Sequence, residues 1–262
     1  MRIALTIAGS DSGGGAGIQA DLKTFQRFGV FGTSVITAVT AQNTRGVTRW
    51  EAVSPELVRA QIDAVAEDLL PSAFKSGMLA SVAVVSAVAA GIRDQSLQNY
   101  VLDPVMVATS GDLLLEPDAI DVIRRELVPR ASIVTPNIHE AEILSGEKID
   151  DEDSMARAAE VLVNDIGARA VLIKGGHLES GDRVVDVLYD GDLRTFRGRR
   201  LETTNTHGTG CTLSAAITAH LANGESLHAA VRRSIDYVHN AIASAPGLGA
   251  GHGPLNHLAA DT

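Results

Sequence analysis

One stretch near the carboxyl end organises the rest of the chain, and it reads Asn205-Thr206-His207-Gly208-Thr209-Gly210-Cys211-Thr212-Leu213-Ser214. Its first seven residues, 205–211 (the glycine turn), combine two glycines with the chain's only cysteine. Apolar residues at helical spacing follow at once, at Leu213, Ile217 and Leu221. The pattern predicts a polar turn that opens a helix over 212–222.

The glycine turn has the properties of an anion site. The first N–H groups of a helix have no partner inside the helix and lie at the positive end of its dipole. Gly208 and Gly210 let the backbone approach a ligand closely, because they carry no Cβ and tolerate positive φ. Phosphate is a common ligand at such a position. We therefore expect the turn to bind a phosphate group.

A thiol at a helix start admits two interpretations. A helix N-terminus can lower the pKa of a cysteine below its usual value of about 8.5, so that Cys211 would form a thiolate and act as a base or charge partner. Alternatively, Cys211 is a small apolar side chain that packs under the helix. The neighbouring glycines favour the functional interpretation.

Composition excludes several classes of protein. The chain has 262 residues, 45% of them hydrophobic, and no linker divides it, so we expect one domain over 1–262. A net charge of −10 and an aromatic content of 3% argue against nucleic acid as a partner. No apolar window approaches the roughly 20 residues of a membrane span. A single cysteine and a short apolar run at the amino end indicate a cytoplasmic protein.

Strand and helix patterns alternate along the chain. Strands are predicted over 3–8, 33–39, 47–53, 73–78, 100–102, 133–135, 171–173, 184–189 and 193–197, the last two joined by an Asp190-Gly191 hairpin turn. Helices are predicted over 17–28, 55–69, 81–92, 118–127, 140–144, 153–166, 212–222 and 227–244. This alternation predicts an α/β fold with a mostly parallel central sheet and helices on both faces.

Ligands of such sheets bind outside the carboxyl ends of the strands. Glycines and polar residues collect there, among them Gly9, Gln42, Asp103 and Lys174, whereas the strands are almost purely apolar. Residues 9–17 (the first loop) contain five glycines and are equally consistent with a tight turn and a ligand cradle. Asp21, one helical turn beyond, is predicted to face back over this loop.

The polar residues at the strand ends suit phosphoryl transfer, which depends on alignment and on charge neutralisation by Mg²⁺ and cations. Asp103 and Glu140 offer oxygen ligands of the kind Mg²⁺ accepts, unless they are a helix cap and a surface carboxylate. Lys174 could reach a donor phosphate as a point charge, or be an ordinary surface lysine. The amide of Gln42 suits a heteroaromatic ring, or caps its own turn. His207 is predicted to be a residue of the turn, with contact to a ligand as the less favoured alternative.

Several motifs together resemble one family. They are Ala8-Gly9-Ser10-Asp11-Ser12-Gly13-Gly14-Gly15-Ala16-Gly17-Ile18-Gln19-Ala20-Asp21-Leu22-Lys23-Thr24, Ala41-Gln42-Asn43-Thr44, Lys75-Ser76-Gly77-Met78-Leu79, Asp103-Pro104-Val105-Met106, Thr135-Pro136-Asn137, Lys174-Gly175-Gly176-His177 and the glycine turn. In this order they resemble the hydroxymethylpyrimidine/phosphomethylpyrimidine kinases of thiamine biosynthesis, which are ribokinase-like enzymes. The resemblance implies ATP-dependent phosphorylation of 4-amino-5-hydroxymethyl-2-methylpyrimidine, then of its monophosphate, by a homodimer.

The resemblance also implies roles for individual residues. The pyrimidine pocket would be lined by Gly9, Ala16, Asp21, Gln42, Met78 and Val105. Mg²⁺ would lie near Asp103 and Glu140, and ATP near Thr135, Asn137, Lys174 and Thr206. The anion hole and catalytic centre would comprise Gly208, Thr209, Gly210 and Cys211, with Cys211 where related sugar kinases place an aspartate base.

Two departures from the family pattern stand out. His139 stands where the family has an apolar residue or proline. Thr109 stands where a lysine is frequent, so one phosphate contact is lost. The second phosphorylation is therefore less firmly implied than the first. Two rival functions remain open at this point. One is a pyridoxal kinase of the same superfamily, and the other is a protein that binds a vitamin precursor without turnover.

Overall fold

The computed structural model describes residues 1–107, 114–176, 178 and 182–260. Its strands are β1 (Ile3–Asp11), β2 (Phe31–Asn43), β3 (Gly46–Ala52), β4 (Ala73–Ser76), β5 (Tyr100–Leu102), β6 (Ile133–Val134), β7 (Val171–Ile173), β8 (Arg183–Tyr189) and β9 (Leu193–Arg199). Its helices are α1 (Gly17–Arg27), α2 (Pro55–Asp68), α3 (Val82–Asp94), α4 (Ala119–Val122), α5 (Ile138–Ser145), α6 (Glu152–Asn164), α7 (Thr209–Ala222) and α8 (Leu227–Ala243). Within these ranges, no helix combines the length and apolar composition that a membrane span requires.

All nine strands form one sheet in the order β3-β2-β1-β4-β5-β6-β7-β8-β9. The strands from β2 to β7 in this order pair in parallel, while β3, β8 and β9 pair antiparallel at the two edges. The predicted mostly parallel sheet is therefore confirmed. The Asp190-Gly191 hairpin is confirmed as well, with Gly191 at a φ of 101°.

Helices cover both faces of the sheet, as predicted. Successive strand residues point to opposite faces, so Leu102 joins one apolar cluster with α2, α3, α5 and α6, while Val101 joins the other with α7 and α8. Helix α1 packs beside α7 on this second face. Helices therefore bury both faces of the central strands, which explains the continuous apolar sequences of these strands.

Local capping explains where several helices begin. The hydroxyl of Ser54 accepts a hydrogen bond from the amide of Leu57 at 3.3 Å, and Pro55 occupies the first helical position of α2. Asn137 and Glu140 form a reciprocal capping box at α5. The capping box fixes the start of α5 just after β6, which places Glu140 at the edge of the sheet where ligands bind.

Some predicted boundaries were wrong. Helix α7 begins at Thr209 rather than at 212, because Gly208 takes the N-cap position with a φ of 81°. Gly210 and Cys211 thus lie inside the first helical turn. The predicted helix over 118–127 is α-helical only over Ala119–Val122 and continues as a π-helix, Ile123–Leu127, and a 3₁₀ turn, Val128–Arg130. Thr109 and His177 lie outside the described residues.

Candidate active site

A cavity of about 720 Å³ opens at the carboxyl ends of the parallel strands, beside the amino end of α7. It brings together most of the residues singled out from the sequence, from segments far apart in the chain. Those that line it are Gly9, Ala16, Gln42, Met78, Asp103, Val105, Asn137, Glu140, Lys174, Thr206, Gly208, Thr209, Gly210 and Cys211. Asp21 and Thr135 do not line it.

The glycine turn forms the wall of the cavity from which α7 begins. Gly208 has a positive φ of 81°, and a Cβ there would run into the carbonyl oxygen of Gly15. Only glycine satisfies both demands without strain. The amides of Gly210 and Cys211, in the first turn of α7, have no acceptor within the helix. The turn therefore presents donors and a positive dipole end to the cavity, as an anion site requires.

A lysine faces this helix start. A Cβ on Gly210 would lie 3.1 Å from Nζ of Lys174, so the absent side chain makes room for the ammonium group. Lys174 Nζ also lies 3.0 Å from Oδ1 of Asp103, whose Oδ2 accepts a hydrogen bond from Ser214 at 3.3 Å. A cation and a helix N-terminus thus converge on one point, which favours binding of a polyanion.

Glu140 adds a second carboxylate near Lys174, with 4.0 Å between its Oε2 and Nζ. The same Oε2 accepts the amide of Asn137 at 2.8 Å. Burial raises the pKa of Glu140 to about 7, an effect that Lys174 opposes and Asp103 reinforces. Two carboxylates that line the same cavity fit Mg²⁺, which is commonly held by one or two carboxylates plus water and substrate phosphates. Among the described residues, no three potential ligand side chains form a complete metal site.

The structure corrects the expected state of Cys211. Burial raises the pKa of its thiol to about 11, and the carboxylates of Asp21 and Asp103 add to this rise. The ammonium of Lys75 and the backbone amide of Gly17 lower the pKa, but less strongly. The position at the helix N-terminus therefore does not produce a thiolate, and Cys211 is a neutral thiol at pH 7.

The structure also corrects the position of Asp21. Its carboxylate is fully buried, where it accepts hydrogen bonds from Thr6 at 2.6 Å and from Nζ of Lys75 at 3.0 Å. Asp21 belongs to the buried face of α1, which also carries Ile18 and Phe25, and so points toward the sheet. It supports the site from beneath and does not reach the cavity.

Thr135 was wrongly placed beside the nucleotide. It follows β6 and is fully buried, with its hydroxyl directed at the carbonyl oxygen of Leu102 at 3.5 Å. Its amide also donates to that carbonyl, at 2.9 Å. Thr135 therefore ties the ends of β5 and β6 together, and so positions Asp103 and Asn137, which follow them.

The other end of the cavity mixes apolar surface with amides. Gly9 lies so close to Met78 that a Cβ would be 2.9 Å from the methionine sulfur. Ser12 of the first loop exchanges two hydrogen bonds with the backbone of Gln42, at 2.7 and 2.8 Å. The side-chain oxygen of Gln42 accepts from Thr40 at 3.2 Å. This end combines the apolar side chains of Met78 and Val105 with the amide of Gln42, a lining that suits a small heteroaromatic ring.

A contact between the first loop and the glycine turn was not predicted from the sequence. Asp11 Oδ2 lies 2.8 Å from Nε2 of His207, and both side chains are buried. His207 was predicted as a residue of the turn, not as a partner of Asp11. A carboxylate before a run of glycine amides was the available signal for Asp11. Its partner stands 196 residues away in the chain, so no local pattern indicates the pair.

Comparison with known proteins agrees with this geometry. The model of the family Phosphomethylpyrimidine kinase matches residues 11–256. A hydroxymethylpyrimidine/phosphomethylpyrimidine kinase of Rhizobium meliloti (strain 1021) is 55% identical over 260 residues, covering 98% of this chain and 97% of its own length.

Solved structures show the same likeness. The crystal structure of phosphomethylpyrimidine kinase from Clostridium difficile 630 has a TM-score of 0.82 and 43% identity, with 92% of this chain and 100% of that chain covered. The pyridoxal kinase of Bacillus subtilis, an ADP complex, has a TM-score of 0.90 and 37% identity, with 99% and 98% covered. The ribokinase-like α/β fold is thereby confirmed. Sequence, fold and cavity together show that this chain belongs to the phosphomethylpyrimidine kinase family.

Proposed function

We propose that this kinase transfers the γ-phosphoryl group of ATP to the hydroxymethyl oxygen of 4-amino-5-hydroxymethyl-2-methylpyrimidine, and then to the resulting monophosphate, in thiamine biosynthesis. The observation that carries the proposal is the convergence of the α7 amino end and Lys174 on one side of a cavity whose other side suits a small aromatic ring. Two relatives, at 55% and 48% identity, are named hydroxymethylpyrimidine/phosphomethylpyrimidine kinase, which agrees with the proposal.

The nucleotide side comprises Lys174, Asn137 and Thr206, which line the cavity next to the glycine turn. Lys174 supplies a positive charge for the donor phosphates. Asp103 and Glu140 would hold Mg²⁺, which neutralises phosphate charge when it is bound. Because Lys174 Nζ lies 3.0 Å from Oδ1 of Asp103, a donor phosphate at this lysine would compete with that carboxylate.

In the transfer step, the acceptor alcohol forms a bond to the γ-phosphorus while the bond to the leaving ADP oxygen breaks. Backbone amides at residues 208–211 stabilise the charge on the transferred group. The transition state is loose, so the alcohol needs little help from a base. A neutral Cys211 suits both acceptors, because a permanent negative charge would repel the monophosphate. The alcohol proton passes late in the step to solvent, or to the small fraction of Cys211 that is ionised, because a neutral thiol cannot accept it.

The pyrimidine side comprises Gly9, Ala16, Gln42, Met78 and Val105. Ala16 and Gly9 leave space for the ring, and Met78 packs against it as a polarisable side chain. Asp21 acts indirectly, by holding Lys75 beneath α7.

Pyridoxal kinase activity is the second candidate, since pyridoxal kinases are among the solved structures with TM-scores of 0.90. A coupled ADP-release assay that offers the pyrimidine alcohol, its monophosphate and pyridoxal separately distinguishes the functions by kcat/KM. We expect the pyrimidine alcohol to give the highest value. A higher value for pyridoxal contradicts the proposal, and binding of all three without ADP release identifies a binding protein.

Oligomeric state and location complete the proposal. Family resemblance suggests a homodimer, which light scattering coupled to size exclusion tests directly. Consumption of ATP supports a cytoplasmic location, and cell fractionation checks it.

A further inference from the structure

The carboxylate of Asp11 is the centre of a buried hydrogen-bond cluster. Its Oδ1 accepts the amide of Gly13 at 2.7 Å, and its Oδ2 accepts the amides of Gly15 at 3.0 Å and Ala16 at 2.8 Å. The same Oδ2 contacts Nε2 of His207 at 2.8 Å. One carboxylate therefore shapes the first loop and also binds a side chain of the glycine turn.

The backbones of these two segments also touch. Glycine stands at both sides of the contact. A Cβ on Gly15 would strike the ring of His207, and a Cβ on Gly208 would strike the carbonyl oxygen of Gly15. The backbone of His207 is also fixed, because its amide donates a hydrogen bond to the carbonyl oxygen of Gly253 at 3.1 Å. A shift of the first loop must therefore displace the glycine turn or break the contact with His207.

The two joined segments serve different ends of the cavity. Gly9 and Ala16 of the first loop line the end that suits the ring, and residues 208–211 form the phosphate side. Asp11 and His207 both line the cavity, and Asp11 has hydrogen-bond partners in both segments. Burial by itself would raise the pKa of Asp11, but the hydrogen bond from His207 and the loop amides lower it below its ordinary value. The carboxylate is therefore charged at pH 7, and its bond to His207 is charge-assisted.

We propose that Asp11 and His207 are a positioning pair that transmits occupancy of the acceptor end to the glycine turn, so that acceptor and nucleotide bind cooperatively. The inference rests on the proposed function, since it takes the pyrimidine alcohol as the ligand of the first loop. An acceptor in contact with Gly9 and Ala16 restrains the first loop further, and Asp11 passes this restraint through His207 to the amides at residues 208–211. By thermodynamic linkage, the nucleotide tightens acceptor binding by the same factor.

The test measures binding without turnover. Titration calorimetry gives the Kd of the non-hydrolysable analogue AMP-PCP with Mg²⁺, with and without saturating pyrimidine alcohol. For the unaltered protein we expect the alcohol to tighten AMP-PCP binding at least about fivefold, the lower end of typical coupling. In His207→Leu this ratio falls to about one, whatever the change in the Kd of each ligand alone, because only the ratio reports coupling between the two ends.

Two further variants sharpen the result. His207→Gln keeps an N–H donor near the position of Nε2 and restores part of the ratio. The matched control is His228→Leu, which removes another histidine–aspartate contact, that of Nε2 with Asp190 at 2.6 Å, on an exposed surface. This control retains the full ratio. If His207→Leu does not fold, His207→Asn takes its place, because its shorter amide does not span the distance to Asp11.

A ratio near one in the unaltered protein overturns the inference, and so does a full ratio in the folded His207 variant. Either result leaves the proposed function intact if the pyrimidine alcohol is still phosphorylated. Failure of the unaltered protein to bind the pyrimidine alcohol instead refutes the proposed function, and the inference with it.

Discussion

Among single residues, the proposed phosphoryl transfer depends most directly on the thiol of Cys211. We expect Cys211→Ala to lower kcat by about 100-fold or more, the usual scale for groups that move protons or stabilise charge. The Kd values of acceptor and nucleotide should change little, because the thiol is small and neutral. Steady-state kinetics combined with calorimetry provides the measurement. Unchanged turnover would show that Cys211 only packs beneath the helix.

The pKa of about 11 gives this residue a distinctive pH signature. On the order of 10⁻⁴ of the thiol is ionised at pH 7, and this fraction rises about tenfold per pH unit below the pKa. If the ionised form assists the transfer, kcat rises with pH between 7 and 9 in the unaltered protein. We expect that rise, and a flat profile in Cys211→Ala. Equal slopes in both proteins would assign the titration to another group.

The ion pair of Asp21 and Lys75 is fully buried, with 3.0 Å between Nζ and Oδ1. Removal of one partner leaves the other as an uncompensated buried charge, so Asp21→Ala should lower the free energy of unfolding by about 3–5 kcal/mol. The double variant Asp21→Leu/Lys75→Met removes both charges and should recover most of this loss. Urea denaturation measures both. A raised pyrimidine KM in Asp21→Ala without lost stability would contradict the buried role.

At the scale of elements, α7 is the helix whose start matters most. Gly208 and Gly146 have nearly the same φ, 81° and 80°, but a Cβ at 146 meets nothing within 4 Å whereas one at 208 meets the first loop. Gly146→Ala should thus cost only the left-handed strain, about 1–2 kcal/mol.

Gly208→Ala adds displacement of the first loop to the same strain. We expect it to reduce kcat/KM by about 100-fold, since shifts of about 1 Å in a catalytic group have effects of this size. Comparison of kcat/KM and thermal stability in the two variants isolates the contact. Similar losses in both would mean that φ strain alone matters at residue 208.

The bounds of strands and helices were predicted correctly where one sequence signal, such as an apolar run between turn residues, determines them. The strands Tyr100–Leu102 and Val171–Ile173 have the predicted bounds, because each is a short apolar run between turn signals. The start of α7 was misplaced because glycine is a poor helix former, and only the contact with Gly15 explains why Gly208 lies at the N-cap. Asp21 was misassigned although its spacing from Ile18 and Phe25 already indicated the buried face of α1.

At the scale of the whole molecule, the carboxyl-terminal segment closes the fold over α7 and α8. His257 is buried, with Nε2 3.2 Å from the hydroxyl of Thr212 and its carbonyl bound by Tyr237 at 3.0 Å. Burial, and to a lesser extent Lys23, lowers the pKa of His257 from 6.5 to about 4. The native state therefore binds fewer protons than the unfolded chain between these values.

Stability contributed by neutral His257 is consequently complete above pH 6.5 and is lost as pH falls toward 4. The loss should approach about 3 kcal/mol, from 1.36 kcal/mol per pKa unit. We expect His257→Gln to show a shallower decline in unfolding free energy between pH 7 and pH 4.5. Parallel declines in both proteins would assign the acid sensitivity to other groups. A single unfolding transition would also support the proposed single domain over 1–262.

Residue order alone determined the alternation of strands and helices, the parallel sheet and the set of polar groups at its carboxyl edge. These follow from apolar periodicity and from the rule that parallel strands end together. Tertiary structure alone decided that Cys211 is neutral, that Asp21 pairs with Lys75 and that Asp11 meets His207. The physical reason is that burial and charge act through space over a few ångströms, between residues that no local pattern connects.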